Sequence, residues 1–291
     1  MYRTLRNQTI WIMLIVGFLG SCAGGELAPS VQSEHSTTST NVPLGGELSI
    51  SGSTTTEPLV QTLRQAFQTV YPNVSFAIEA HGSSFGVTDV LAGNVDIGMS
   101  SRALTAEEQQ QAITAHPIAL DAIAVIVHPS NPVQNVSLGQ VRGMFTGEIT
   151  NWQIVGGNNQ PVVPVIRQET SGTRATFDEL VLQGATYTDA VVPQFGTVSE
   201  AGEVAVTSGA IGYISLGHVH PDQVKVLAID HSIPGTETVV SGAYPLQRPL
   251  LLLTGPFSRE LAHTFIDFSL SDAGQQVVAN AGWVPIRIIT E

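Results

Sequence analysis

Residues 47–102 read ELSISGSTTTEPLVQTLRQAFQTVYPNVSFAIEAHGSSFGVTDVLAGNVDIGMSSR. Within this stretch, 47–52 and 74–80 alternate polar and apolar residues as strands do, whereas 58–72 has apolar residues at helical spacing. A shorter helical segment, GVTDVLAGNV, and a short strand, DIGMSS, follow. Because such alternation is typical of layered domains, this order predicts an α/β fold with a largely parallel sheet.

The same alternation continues to the end of the chain. The later strand-like segments are IALDAIAVIVHP, PVVPVIRQ, AIGYIS, VKVLAI and PLQRPLLLLT. The later helical segments are SLGQVRGMFTG, SGTRATFDELVLQ and SRELAHTFIDFSLSDAGQQVVANAG, and the last is predicted to be one long amphipathic helix. The pattern is consistent with one domain or with two lobes.

The composition excludes several classes of protein. The 291 residues have 11 Lys and Arg against 24 Asp and Glu, a formal charge of -13, and no basic run. Binding to nucleic acid or to anionic lipid through charge is therefore not expected. The single cysteine, Cys22, excludes an internal disulfide and a cysteine-rich zinc site.

The N-terminal segment predicts export. Arg3 and Arg6 precede an apolar run over 10–19, which has the layout of a signal peptide and is too short to span a bilayer. The next residues, LGSC, resemble the bacterial lipobox, whose cysteine is acylated after cleavage. We therefore expect a signal peptide over 1–21 and a lipid anchor at Cys22, with an ordinary signal peptide and an incidental cysteine as the alternative.

Residues 22–45 are rich in Ser, Thr, Gly and Pro and have no periodic apolar face. A segment of this composition buries too little apolar surface to offset its chain entropy. We expect it to be a flexible tether, with the folded part beginning near Gly46.

Three strand-to-helix turns are built from Gly, Ser and Thr. They are 52–56 (GSTTT), 82–86 (GSSFG) and 170–174 (TSGTR), and Arg167 lies just before the third. Such turns present free backbone N–H groups at helix N-termini, where oxyanions bind. Hydroxyls add donors and a guanidinium adds charge. The combination predicts an anion site, although each turn alone is equally consistent with helix capping.

A fourth candidate segment, DIGMSSR, brings Ser100, Ser101 and Arg102 to another strand end. The alternative is a helix start, because Thr105 and Glu108 form a capping-box pattern just after it.

Eight motifs occur in an order that carries a family resemblance. They are ISGSTTTEPL, HGSSFGV, VDIGMSSR, VRGMFTGEITNW followed by VGG, VIRQETSGTR, GAIGYIS, YPLQRPL and FIDFSLSDAGQQVVANAGWVP. Over about 46–286 the chain resembles the phosphate-binding proteins of bacterial phosphate ABC transporters, the PstS family. The resemblance implies an α/β, two-lobe periplasmic-binding-protein fold of type II. In that fold each lobe is a mixed sheet flanked by helices, two strands cross between the lobes, and phosphate is held in the cleft.

The resemblance also implies lobe boundaries and a role for individual residues. Lobe 1 would comprise 46–124 plus 247–291, and lobe 2 would comprise 125–246. Glu169 matches an acidic residue that holds the arginine of the site. The residues that match phosphate-binding positions are Thr54, Thr55, Ser83, Ser101, Arg167, Ser171, Gly172 and Thr173.

Ser101 departs from one branch of the family. That branch has an aspartate here, which accepts the proton of hydrogen phosphate and repels sulfate. A hydroxyl both donates and accepts, so Ser101 is still expected to bind the anion. Selectivity for phosphate over sulfate is therefore implied by the family and not by this residue.

The implied function is that of an extracytoplasmic, lipid-anchored receptor. Such a receptor binds inorganic phosphate and delivers it to an ABC permease complex, and we expect it to act as a monomer with no cofactor, no metal, no nucleic-acid partner and no catalysis. The alternative within binding proteins is a receptor or sensor for another tetrahedral oxyanion.

Two motifs have alternative interpretations. The sequence GSSFG also fits the nucleophile elbow of a serine hydrolase, with Ser83 as nucleophile and Asp230 and His263 completing a triad. The pair His218 and His220 has a spacing found in metal sites, but no acid or cysteine accompanies it at ligand spacing, which favours an ordinary loop.

Overall fold

The computed structural model describes residues 44–287. The predicted signal peptide, the predicted anchor at Cys22 and nearly all of the predicted tether lie outside the described residues. The first strand begins at Gly45, directly before the predicted start of the folded part. None of the helices in this described part combines the length and the apolar character needed to cross a bilayer.

Strands and helices alternate throughout. The strands are β1 (Gly45–Gly52), β2 (Asn73–Ala80), β3 (Ile97–Ser100), β4 (Thr114–Val127), β5 (Asn135–Val136), β6 (Val163–Arg167), β7 (Val192–Gln194), β8 (Ala210–Ser215), β9 (Lys225–Val226), β10 (Ala228–Ile229) and β11 (Gln247–Thr254). The helices are α1 (Glu57–Val70), α2 (Ser83–Ala92), α3 (Leu138–Thr146), α4 (Gly172–Phe177), α5 (Thr197–Val206), α6 (Thr236–Val240), α7 (Glu260–Leu270) and α8 (Asp272–Asn280). The predicted α/β class is confirmed.

The main sheet runs in the order β2-β1-β3-β11-β4-β8-β6-β7, with β9 paired to β4. β1 is parallel to β2 and β3, and β6 is parallel to β7 and β8. Between these parallel groups, β4 and β11 are antiparallel to each other. The sheet is thus mixed, and not largely parallel as the alternation alone predicted, because neighbouring strands that carry the chain out and back must run in opposite directions.

Buried apolar residues form two main clusters that divide the chain at β4 and β11. One cluster draws on residues up to Ala119 and from Leu250 onward. The other draws on residues from Ala122 to Leu246, together with Val284. The chain passes between the clusters at adjacent points, since the N–H of Ile123 donates to the carbonyl of Leu246 at 2.7 Å. These points lie near the lobe boundaries that the resemblance implies, and the exact boundaries stay a prediction.

Two predicted helices differ in extent from the observed ones. The long C-terminal helix is two helices, because Ser271 has an extended backbone (φ -69°, ψ 164°) and its Oγ accepts the N–H of Gly274 at 3.2 Å. A serine oxygen that caps a new helix in this way ends the preceding one. The helix predicted after Thr170 is α-helical only to Phe177 and continues as a π-helical turn over Asp178–Leu182.

Candidate functional site

Four turns from distant parts of the chain meet one another. The turn after β1 contacts the start of α4, where the Oγ1 atoms of Thr55 and Thr173 lie 3.0 Å apart. The start of α2 contacts the turn before α4, since the N–H of Ser84 donates to the carbonyl of Thr170 at 3.3 Å. These contacts join residues that precede β4 to residues that follow it, and so cross between the two core clusters.

Arg167 lies at the end of β6 with none of its surface exposed. Its Nη2 donates to Thr54 Oγ1 and its Nη1 donates to Thr197 Oγ1, both at 2.9 Å. Burial lowers the pKa of Arg167, while the nearby carboxylate of Glu200 raises it, and an arginine keeps its charge in proteins. The site therefore contains a buried positive charge surrounded by hydroxyls.

Ser83 and Ser101 lie side by side under the first turn of α4. Ser83 Oγ accepts the N–H of Ser101 at 3.0 Å, and the two hydroxyl oxygens are 3.3 Å apart. A Cβ on Gly172 would come within 2.2 Å of Ser83 Oγ and 2.8 Å of Ser101 Oγ. The absence of a side chain at Gly172 is thus what lets α4 approach the serines of the other cluster.

Ser171 caps α4, and its side chain therefore serves the helix. Its Oγ accepts the N–H of Arg174 at 3.3 Å, and its own N–H donates to the carbonyl of Gln168 at 3.1 Å.

All eight residues predicted to bind phosphate lie in this one region. Of their side chains, the hydroxyls of Thr54, Thr55, Ser83, Ser101 and Thr173 contact other residues of the region, as does the guanidinium of Arg167.

Glu169 is not where the resemblance implied. Its side chain is 89% exposed, and its Oε1 lies 3.9 Å from Arg174 Nη2. Among the described residues, the carboxylate within 4 Å of the Arg167 guanidinium is that of Glu200, at 3.9 Å between Oε2 and Nε. Glu169 follows the end of β6 in an exposed turn, so its side chain extends toward solvent.

The sequence reasoning missed two residues of the site, Thr197 and Glu200, both on α5. Thr197 Oγ1 accepts from Arg167 and lies 3.4 Å from Thr55 Oγ1. Both side chains are buried, Glu200 completely. The signal that could have found them is the turn GTVSE at 196–200, which follows β7 and has the same Gly and Thr character as the other three turns.

Glu200 accepts one hydrogen bond and lies near two arginines, Arg167 and Arg248. Its Oε1 accepts the N–H of Tyr213 at 3.0 Å. Burial raises the pKa of Glu200 to about 8, although the charge of Arg167 acts to lower it. Glu200 Oε2 and Arg167 Nε have no hydrogen-bond partner within residues 44–287.

The proposed triad residues have other partners. Ser83 Oγ is engaged with Ser101, and an oxygen of Asp230 accepts the N–H of Leu138 at 3.3 Å. His263 lies on the exposed side of α7. For the histidine pair, the described part of the chain contains no group of three His, Cys, Asp or Glu side chains able to hold a metal ion.

Comparison with known proteins identifies the family. Residues 32–273 match the model of a PBP superfamily domain. A Bacillus subtilis protein named phosphate-binding protein PstS is 31% identical over 288 residues, which cover 97% of this chain and 95% of that protein. The chain belongs to the PstS family of the PBP superfamily.

Solved structures of similar proteins have the same fold. A phosphate ABC transporter substrate-binding protein from Clostridium perfringens, determined with bound phosphate, is 37% identical with a TM-score of 0.80, and the match covers 83% of this chain and 100% of that chain. An ABC-type phosphate transport receptor from Vibrio cholerae is 29% identical with a TM-score of 0.70, covering 81% and 99%. The two-lobe periplasmic-binding-protein fold implied by the resemblance is confirmed.

Proposed function

We propose that this PstS-family chain binds inorganic phosphate between its two lobes and delivers it to an ABC permease complex without a chemical step. The observation that carries the proposal is the wholly buried guanidinium of Arg167, which donates to neutral hydroxyls. A buried charge is costly unless it is paired and hydrogen-bonded. A tetrahedral oxyanion supplies both the opposite charge and several acceptor oxygens.

The hydroxyls around Arg167 suit such a ligand. Those of Thr54, Thr55, Thr173 and Thr197 lie within 3.5 Å of one another in pairs. An anion that accepts from several of them at once replaces weak hydroxyl pairs with charge-assisted hydrogen bonds, which are about twice as strong. The start of α4 adds backbone N–H groups and a positive dipole end.

In the proposal, both lobes contribute ligand residues. Lobe 1 is 46–124 plus 247–291 and lobe 2 is 125–246, so that Thr54, Ser83 and Ser101 come from lobe 1 and Arg167 comes from lobe 2. The ligands are the eight residues predicted from the sequence together with Thr197. The related proteins from Clostridium perfringens and Vibrio cholerae, whose names refer to phosphate transport, support phosphate as the ligand.

The proposal also includes a location. The chain acts outside the cytoplasm as a monomer, held to a membrane by lipid on Cys22. The support is the layout of residues 1–22, in which two arginines, an apolar run and LGSC follow one another.

Titration calorimetry of the purified chain with phosphate and with sulfate tests the proposed ligand. We expect heat from phosphate binding at one site and much weaker binding of sulfate. Equal affinity for the two anions would reassign the chain as a receptor for tetrahedral oxyanions in general. Binding of neither would refute an anion receptor.

Replacing Arg167 tests the residue that carries the proposal. Arg167→Ala should weaken phosphate binding by at least about thirtyfold, since removing one member of a buried charge pair costs about 2 kcal/mol or more. Arg142→Ala, which removes a guanidinium from α3, is the control and should bind as the wild type does. A loss under tenfold in a variant that melts cooperatively would remove Arg167 from the site.

A further inference from the structure

Glu200 is the feature of the site that phosphate binding by itself does not explain. It is a completely buried carboxyl group on α5, and its Oε2 lies 3.9 Å from Arg167 Nε. That distance is within reach of an ion pair and too long for a hydrogen bond. A carboxylate next to the arginine that binds an anion competes with that anion for the same charge.

The charged and titratable groups around the Glu200–Arg167 pair come from three strands and from His218 just after β8. β6 contributes Arg167, β8 contributes the N–H and the ring of Tyr213, and β11 contributes Arg248. Burial and the charges of Arg248 and Arg167 lower the pKa of His218 to about 4, so His218 is neutral. Arg248 is already paired, because its Nη2 lies 2.9 Å from an oxygen of Asp121 on β4. Arg167 and Glu200 are therefore the second pair in a buried group of two cations and two acids.

This group is neutral when both acids are ionised. An oxyanion that binds Arg167 adds at least one negative charge to it at a site with little exposure to water. Excess buried charge is avoided by a change of protonation when a titratable group is close. Tyr213, whose pKa burial raises far above its usual value, is already neutral and has no charge to give up. Asp121 is bound by Arg248 and by the hydroxyl of Ser215, at 2.8 Å.

We propose that Glu200 is a positioning residue for Arg167. In its ionised form it holds the guanidinium in the ligand-free protein, and it takes up one proton from solvent when the anion binds. The proposal rests on the proposed function and adds a coupling between anion and proton. The proton goes to Oε2, since Oε1 accepts from Tyr213 and Oε2 has no hydrogen-bond partner within the described residues.

The direction of the pH dependence follows from linkage. The pKa of Glu200 is raised to about 8 without a ligand, and a bound negative charge raises it further. Below pH 8 the carboxyl is already protonated, so binding takes up no proton through Glu200. Above pH 8 binding requires a proton, and affinity falls as the pH rises, by up to tenfold per pH unit.

The test is the phosphate affinity of the wild type and of Glu200→Gln from about pH 7 to about pH 9. The amide keeps an oxygen to accept from Tyr213 but does not titrate. The ionisation of phosphate itself is identical for both proteins, so it cancels in the ratio of their affinities. We expect the wild type to lose about tenfold more affinity than Glu200→Gln over this range. Calorimetry in buffers of different ionisation enthalpy should show about one extra proton taken up by the wild type near pH 9.

Glu169→Gln is the matched control. It removes a carboxylate from the turn after Arg167, but that side chain is 89% exposed and lies beside Arg174. It should follow the wild-type profile. Parallel profiles for wild type and Glu200→Gln would overturn the proposal, as would an equal change in Glu169→Gln.

A measurement on the wild type decides the matter if Glu200→Gln does not fold. Infrared difference spectra with and without phosphate near pH 9 should show the carbonyl band of a newly protonated carboxyl group, and its absence would overturn the proposal. Phosphate binding without proton coupling refutes only the role of Glu200. A lack of phosphate binding at every pH refutes the proposed function as well.

Discussion

At the scale of single residues, the site depends on what is small as much as on what is charged. Gly172 begins α4 directly above two serines, and the hydroxyls of those serines occupy the space that a Cβ would need. Arg167 supplies the charge, and the close approach of α4 to the serines depends on the missing side chain at Gly172. The φ of Gly172 is not in the left-handed region, so its backbone conformation does not require a glycine. Glycine is needed here because a side chain would prevent the close contact.

Gly172→Ala should weaken phosphate binding by about tenfold, because the new methyl group overlaps Ser83 Oγ and overpacking costs about 1–3 kcal/mol. Gly202→Ala is the control, since a Cβ there meets nothing within 4 Å and the position is an exposed one on α5. The measurement is phosphate titration of both variants. Unchanged affinity in Gly172→Ala would show that the contact between α4 and the serines is not part of the bound state.

At the scale of elements, the helices α2, α4 and α5 begin at the site. Outside the site, one buried acid connects three other elements. Asp96, just before β3, accepts from the N–H and Oγ–H of Ser49 on β1, both at 2.9 Å. It also accepts from Nε of Arg259, the residue that precedes α7, at 2.5 Å. Burial raises the pKa of Asp96, but the hydrogen bonds from Arg259 and Ser49 outweigh it and hold the pKa below the usual value.

Asp96→Asn should therefore be less stable than the wild type at neutral pH. A carboxyl whose pKa is lower in the folded state stabilises the fold above the pKa of the unfolded chain, about 3.9, and loses that effect as the pH falls through the folded value. The difference in free energy of unfolding should narrow as the pH falls below about 4. Urea unfolding at several pH values measures it, with Asp267→Asn, an exposed change on α7, as the control. A difference that does not depend on pH would assign the effect to packing.

At the scale of the whole molecule, an acidic chain is expected to bind an anion. The formal charge of -13 is spread over the sequence, whereas the site combines a buried arginine with hydroxyls and helix starts. Net charge acts mainly on long-range steering and on solubility, while affinity depends on the local dipoles and charges. Screening by salt should therefore affect the rate of phosphate capture more than the strength of binding.

The proposed lipid anchor at Cys22 is also tested on the whole chain. When cells are grown with radiolabelled palmitate, the wild type should retain the label and Cys22→Ala should lose it, because Cys22 is the only thiol in the sequence. Phosphate affinity of the two purified proteins should be equal. Equal labelling of both would contradict the anchor and favour an ordinary signal peptide.

The sequence by itself determined the α/β class, the family and most residues of the site. Alternating strand and helix patterns, Gly/Ser/Thr turns and Arg167 are local features, and local features are readable because each depends on a few neighbouring residues. The motifs in their order determined the two-lobe fold through the resemblance.

Only the tertiary structure decided which groups surround Arg167. Glu169, two positions away, turns to solvent, whereas Glu200, on a helix that follows another strand, is buried against the guanidinium. Thr197 likewise reaches Arg167 only because α5 packs beside β6. The partner of a buried charge depends on long-range packing, and nothing in the sequence near Arg167 specifies it. The same holds for the mixed sheet, since the pairing of β4 with β11 joins segments more than a hundred residues apart.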